Sequence, residues 1–216
     1  MAIVIETFPV YPLGCNCSIV SCEETKEAII VDPGGDENKI LQYVSENNLK
    51  VKQIIHTHAH FDHCLGTSNV AKHIPGSKIR LHKDDLELYD HLDIQCRAFG
   101  IHYDMDEVKP IDDFLEDTEI LSLGKSSNME VIHTPGHSPG SVCFSIQSSE
   151  YRILFSGDTL FAGSIGRTDL WGGNYTSIIK SIKTRLMHLD DDTVIIPGHG
   201  EKSVIYNEKK YNPYIN

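Results

Sequence analysis

Apolar residues in this chain come in short runs, rich in β-branched side chains, and not in long blocks. The runs "AIVIET", "NCSIV", "EAIIVD", "VKQIIHTH", "KIRLH", "MEVIHT", "SVCFSI", "RILFSG" and "TVIIPG" are each bounded by Gly, Pro, Asn or Asp. That pattern predicts strands. Between them lie segments whose apolar residues recur three and four positions apart, the helical period. "DENKILQYVSENN" puts Ile40, Leu41 and Val44 on one face, with Asp36 in the N-cap position. "NYTSIIKSIKTRLMHL" lines up Ile178, Ile182, Leu186 and Leu189. A third helix is expected from about Asp62 to His73. The neighbouring runs 141–147 and 151–156 predict antiparallel pairing. The pattern is α+β, without repeats, low-complexity stretches or a dividing linker, so residues 1–216 read as a single domain. His82 to Asp117 is the least regular segment. It reads as a surface excursion, or alternatively as a flap beside a site.

Composition narrows the classes of function. A formal net charge of -12 argues against wrapping a phosphate backbone or docking on an anionic membrane. No stretch approaches the roughly 20 apolar residues needed to span a bilayer. The start "MAIVIETFPV" lacks the basic and apolar regions of a signal peptide. The six cysteines form no CxxC pair, so neither a zinc ribbon nor a thioredoxin-type site is expected. Reduced thiols in a cytoplasm are the expectation. Histidine is the unusual component, at 12 residues, and its placement is informative.

Metal-type ligands gather just past the ends of the apolar runs. "QIIHTHAHFDH" carries His58, His60, Asp62 and His63; "MEVIHTPGH" ends in His137; "RILFSGD" in Asp158; "TVIIPGHG" in His199. Gly and Pro beside these ligands permit tight turns and close backbone approach. His58 and His60, two apart in an extended segment, project to one side. Asp62 and His63, adjacent at a helix start, diverge by about 100°. One pair suits one metal and the other a neighbouring metal. With one carboxylate shared, seven ligands give each of two ions four protein contacts. Imidazole plus carboxylate suits zinc first, with iron or manganese as alternatives.

The ordered set "THAHFDH", "TPGHSPGS", "SGDTLF" and "PGHG" resembles the metallo-β-lactamase fold superfamily. Within it, "LFAGSIGRTDLWGGN" and the tail "EKSVIYNEKKYNPYIN" resemble a short subgroup of glyoxalase II-like hydrolases. The resemblance implies a four-layer αββα sandwich of two mostly antiparallel sheets with helices outside. It implies a first divalent ion on His58, His60 and His137, and a second on Asp62, His63 and His199. Asp158 would bridge them, a hydroxide held between the ions would be the nucleophile, and Asp62 would orient that water. Asp32 would sit behind a ligand imidazole. Glyoxalase II proper carries a further helical C-terminal region that supplies much of its glutathione site, and that region has no counterpart here. Its lysine and tyrosine for the glutathione part correspond to Arg167 and Asp169. Arg167 is either a substrate clamp or half of a loop-bracing ion pair, and Asp169 would repel an anion.

The implied activity is dinuclear, metal-dependent hydrolysis of small thioesters of the S-lactoylglutathione type, on a small-molecule substrate without nucleic acid or membrane partners. The alternative in the same superfamily is a mononuclear iron persulfide dioxygenase using His58, His137 and Asp158. A nucleic-acid-processing role is disfavoured by the acidic charge, and a lactamase role by the absence of an export signal. His56 and His133 fit no motif position and read as structural. Cys64 reads as a small buried helix residue, and Asn16 as either a rim residue or a turn at the start of a strand.

Overall fold

The computed structural model of the protein describes residues 3–102, 105, 108–125, 127–147 and 150–216. The first sheet takes its strands in chain order: β1 (Ile3–Val10), β2 (Cys15–Cys22), β3 (Glu27–Val31), β4 (Lys50–Ile55), β5 (Lys78–His82) and β6 (Asp113–Leu115). The second contains β7 (Ile120–Leu123), β8 (Ser127–His133), β9 (Val142–Gln147), β10 (Arg152–Gly157), β13 (Val194–Pro197) and β14 (Ser203–Val204). Its order is β14-β13-β10-β9-β8-β7. A small hairpin, β11 (Leu160–Phe161) with β12 (Ser164–Ile165), stands apart. Every run expected to be extended contributes a strand. The strands without a forecast, β6, β7, β11, β12 and β14, have two to four residues, too few to show a period.

Alternation within the strands explains the layers. In β3, Ile29 and Val31 point between the sheets, while Ala28 and Ile30 point to the outer face. In β9, Val142, Phe144 and Ile146 join the layer between the sheets and Cys143 turns outward. Strands buried on both faces read as continuous apolar runs, which is why "EAIIV" and "VCFSI" show no polar alternation. Helices α1 (Glu37–Glu46) and α3 (Thr67–His73) cover the first sheet through Ile40, Val70 and Ala71. Helices α6 (Tyr175–Ser181) and α7 (Ile205–Tyr211) cover the second through Ile178 and Ile205. The result is a four-layer sandwich of two mixed sheets with helices outside. Parallel pairs concentrate on the β3–β6 side of the first sheet, and antiparallel pairs dominate the second.

Two helical expectations change in detail. Asp36 occupies the N-cap position of α1 but has φ 49 and makes no capping bond. Its carboxylate accepts from the Tyr11 N–H at 2.9 Å instead. The helix expected over 62–73 is two: α2 (Phe61–Cys64) and α3, separated at Leu65–Gly66. The turn at Pro33 packs so closely there that a Cβ on Gly66 would lie 2.5 Å from the Pro33 carbonyl oxygen. Asn174 caps α6 by accepting from the Ser177 N–H at 2.9 Å, and a π-helical turn, Ile182–Leu186, continues its buried stripe. Among the described residues no helix is long and apolar enough to cross a membrane.

Strand direction places the site. β3 and β4 are parallel, so Asp32 and the 57–63 segment emerge at one edge. β10 and β13 are parallel, and β8 reaches the same direction through two antiparallel steps across β9. The loops after β8, β10 and β13 therefore open together.

Candidate metal centre

Seven side chains converge at that edge. The ring nitrogens of His58, His60 and His137 form one group, and Asp62, His63 and His199 form a second. In the first, His137 Nε2 lies 2.8 Å from His60 Nδ1 and 3.2 Å from His58 Nε2. In the second, His199 Nε2 lies 3.0 Å from Asp62 Oδ2 and 3.3 Å from His63 Nε2. Asp158 stands between them: Oδ2 is 3.6 Å from His137 Nε2 and 3.7 Å from His199 Nε2, and Oδ1 is 3.4 Å from His63 Nε2. Ligands about 2.0–2.1 Å from a tetrahedral zinc lie about 3.3 Å from one another, so these separations suit a small cation in each group.

The outer hydrogen bonds fix which ring nitrogen faces inward. Thr57 Oγ1 donates to Asp32 Oδ2 at 2.6 Å, so its proton is committed. His58 Nδ1, 3.0 Å from that hydroxyl, must then be the donor, leaving a lone pair on Nε2. His63 Nδ1 donates to Asp32 Oδ2 at 3.0 Å, and His137 Nδ1 to the Arg167 carbonyl at 2.7 Å. Both therefore turn Nε2 inward. The close approach of His58 and His137 thus brings two lone pairs together with no hydrogen between them. Asp158 Oδ1 is likewise buried without a hydrogen-bond donor. Facing lone pairs and an orphaned carboxylate oxygen are what a cation would satisfy.

Electrostatics agrees for the first group. Burial and the neighbouring His63, His137 and His60 hold His58 well below its ordinary value. Burial and His137 take His60 down to about 3. Both rings are neutral and available as ligands at neutral pH. In the second group burial works against charge, but Asp62 and Asp158 raise His63 and His199 above their ordinary value, and those rings, with His137, hold the Asp158 carboxyl well below the usual carboxylate range; the carboxylates there draw positive charge, which either protons or a cation can supply.

The supporting shell was partly legible. Asp32, expected behind an imidazole, accepts from both Thr57 groups and from His63. Thr57, which links Asp32 to His58, is a residue that sequence reasoning missed, although it opens the "THAHFDH" motif. Asn16 ties the His199 loop down, donating to the carbonyls of Pro197 at 2.9 Å and Gly200 at 3.0 Å. Asp85 is the larger omission. Fully buried, it accepts from the N–H of Ala59 (2.9 Å) and of Gly140 (2.6 Å), and from Ser138 Oγ (2.7 Å). It thereby clips the backbone between His58 and His60 to the loop that follows His137. Burial pushes its carboxyl up, and these three donors pull against that. Nothing local in "HKDDLEL" marks this role.

Gly198 completes the cradle: a Cβ there would overlap the Asp158 carboxylate and come within 2.8 Å of His63 Cε1. Other histidines make different contacts. His56 bonds to the Arg80 carbonyl and Thr67 Oγ1, while His133 stacks on His82 and bonds to the Pro139 carbonyl. Cys64 is buried, with its thiol toward the His58 carbonyl.

Above the centre lies a cavity of about 270 Å³. The irregular segment forms one wall through α4 (Leu86–Tyr89) and α5 (Leu92–Ala98), which bring Leu88, Gln95 and Phe99 to it. Residues 103–104 and 106–107 of that segment lie outside the described residues. Arg167 also lines the cavity, with its guanidinium paired to both oxygens of Asp169 at 2.7 and 2.8 Å.

Known proteins share this fold. The profile of the Metallo-beta-lactamase superfamily matches residues 10–199. Over 212 residues the chain is 38% identical to the hydroxyacylglutathione hydrolase GloC of Haemophilus influenzae, covering 98% of each protein. The crystal structure of BLEG-1 B3 metallo-beta-lactamase superposes with a TM-score of 0.87 at 35% identity, covering 98% of this chain and 99% of that one. TTHA1623 in a di-iron-bound form superposes with a TM-score of 0.85 at 33% identity, covering 97% and 99%. The matched span contains all seven convergent side chains, and on that extent the chain belongs to the metallo-beta-lactamase superfamily.

Proposed function

We propose that residues 1–216 form a single metal-dependent hydrolase domain that cleaves small thioesters in a reducing cytoplasm. The observation that carries this reading is the meeting of two three-residue ligand groups over one shared carboxylate, Asp158, at the floor of a cavity. His58, His60 and His137 would hold one divalent ion, and Asp62, His63 and His199 the other. Two such ions supply an activated water near neutral pH and polarise a carbonyl oxygen. Asp62, whose Oδ2 faces His199, is placed to accept a hydrogen bond from the attacking water and orient it. Asp32 and Thr57 keep His58 and His63 in the tautomers that bind. A thiolate leaves readily, so no separate general acid is required. Zinc is the first metal to test, with iron next because a 33% identical structure carries two irons.

The similarity to a hydroxyacylglutathione hydrolase supports thioesters as the substrate class, and the similarity to a B3 lactamase makes a cephalosporin the necessary control. Protein expressed without added metal is assayed for bound metals by elemental analysis and for S-lactoylglutathione hydrolysis on the same sample. Two ions per chain with thioester turnover, and loss of both ions in Asp158→Ala, are expected. An Asp158→Ala variant that kept two ions would remove the bridging assignment. One iron per chain, no hydrolysis, and oxygen uptake with glutathione persulfide would point to the dioxygenase. The second group also converges, at 3.0 and 3.3 Å from His199 Nε2, and a reading that uses only His58, His137 and Asp158 gives it no role.

A further inference from the structure

The walls of the cavity above the metal centre differ in chemistry from its floor. Leu13, Phe61, Leu88, Phe99, Leu170 and Trp171 line it. Phe61 and Phe99 pack with ring centroids 4.8 Å apart. The volume, about 270 Å³, is slightly below the roughly 300–1,000 Å³ of sites for drug-sized ligands.

Its polar wall groups are already engaged. Gln95 spends its amide on the protein: Oε1 accepts from the Phe61 N–H at 3.1 Å, and Nε2 donates to the carbonyls of Ala59 (3.1 Å) and Leu88 (2.9 Å). Apart from the convergent ligand set, Arg167 is the charged residue among the described residues lining the cavity. Its guanidinium is engaged on Asp169 through two hydrogen bonds. This pair is exposed and can open. However, Asp169 stays two residues away, so the charge of the pair still sums to zero. The chain as a whole carries -12.

Glutathione carries two carboxylates and one ammonium. Lodged against these walls, its charges would lose water without gaining free wall partners, which is costly. An apolar group loses nothing and covers exposed rim side chains such as Trp171, which is 45% exposed.

We propose that the cavity selects a small thioester whose body is uncharged and apolar, aromatic or branched aliphatic, over one built on a charged peptide thiol. This rests on the thioester-hydrolase reading for the reaction, but it can be measured as binding, without turnover. Trp171 is the sole tryptophan and lines the cavity, so its fluorescence reports occupancy.

The metal-loaded full chain is titrated with two thioethers that cannot be hydrolysed, benzyl methyl sulfide and S-methylglutathione. The sulfide should bind about tenfold more tightly, since each tenfold is only about 1.4 kcal/mol and one poorly solvated charge exceeds that. Leu170→Glu, at a partly exposed position, should erase the difference. Asp169→Asn should free Arg167 and strengthen S-methylglutathione alone. Equal or tighter binding of S-methylglutathione by the parent protein would overturn the proposal.

In parallel, kcat/KM is compared for lactoyl thioesters of benzyl mercaptan and of glutathione, and the benzyl compound should be favoured through KM. If neither is hydrolysed while the binding preference holds, the hydrolase reading fails and the selectivity stands. If both are hydrolysed with glutathione preferred, the reverse follows.

Discussion

Asp85 hydrogen-bonds to Ala59, Ser138 and Gly140 and to none of the seven convergent side chains, yet removing its carboxylate should weaken both the fold and the first ligand group. In Asp85→Ala, the buried N–H groups of Ala59 and Gly140 lose their acceptor. Ser138 Oγ keeps Ser141 Oγ, 2.7 Å away, and is not stranded. Each orphaned buried N–H costs about 1–3 kcal/mol, so the pair costs about 2–6 kcal/mol. A water drawn into the vacated space would find both N–H groups and the Ser138 hydroxyl as partners, which sets the lower end of that range. For a chain of this size each kcal/mol shifts Tm by roughly 2–4 °C, so a fall of at least about 4 °C is expected. The effect on metal should be lopsided. Asp85 clips the His58–His60 backbone to the loop that follows His137, whereas His63 is braced by Asp32. Calorimetric unfolding and a zinc titration resolved into two affinity classes test this. One class should weaken markedly and the other persist. A Tm within about 1 °C of the parent, or equal weakening of both classes, would refute the reasoning.

Gly198→Ala should abolish binding at the second ligand group and cut activity by more than about tenfold, because its Cβ would overlap Asp158 and crowd His63; elemental analysis that still found two ions would contradict this. Asp117→Asn should destabilise the protein at neutral pH and lose its effect in acid. Burial opposes ionisation of Asp117, but hydrogen bonds from Arg185 and the His133 N–H hold its carboxyl below the usual range. The stability it contributes is therefore present above the unfolded carboxylate value and is lost as pH falls through the folded one. Tm curves for parent and variant should converge below about pH 4, and a constant gap would show that the charge is irrelevant. Stripping metal with a chelator should lower Tm, since an ion at 100 times its Kd that binds only the folded state adds about 2.7 kcal/mol; an unchanged Tm would mean that the convergent side chains hold no ion.

Much of this protein was readable from its sequence because the relevant information is local. Continuous apolar runs such as "EAIIV" announce strands buried on both faces, and the structure shows both faces covered. The ligand types stand in turn-rich motifs directly after those runs, so their chemistry is visible before any fold is known. Spacing alone paired His58 with His60, and in the structure their ring nitrogens share one group with His137, although His58 also lies in a group with His63 and Asp158.

Tertiary structure decided what depends on residues distant along the chain. Which nitrogen His63 turns inward depends on Asp32, 31 positions earlier, and for His137 on a carbonyl 30 positions later. Asn16 holds the His199 loop across 181 to 184 positions. The break at Gly66 and the diversion of the Asp36 carboxylate from capping accompany contacts with Pro33 and Tyr11. Asp85 and α5 acquire their roles in the same way, from what the packed sheets and loops bring within hydrogen-bonding range. A side chain's type and spacing are set by the sequence, but its partner is set by topology, because a hydrogen bond requires separations of about 3 Å that only the folded chain creates.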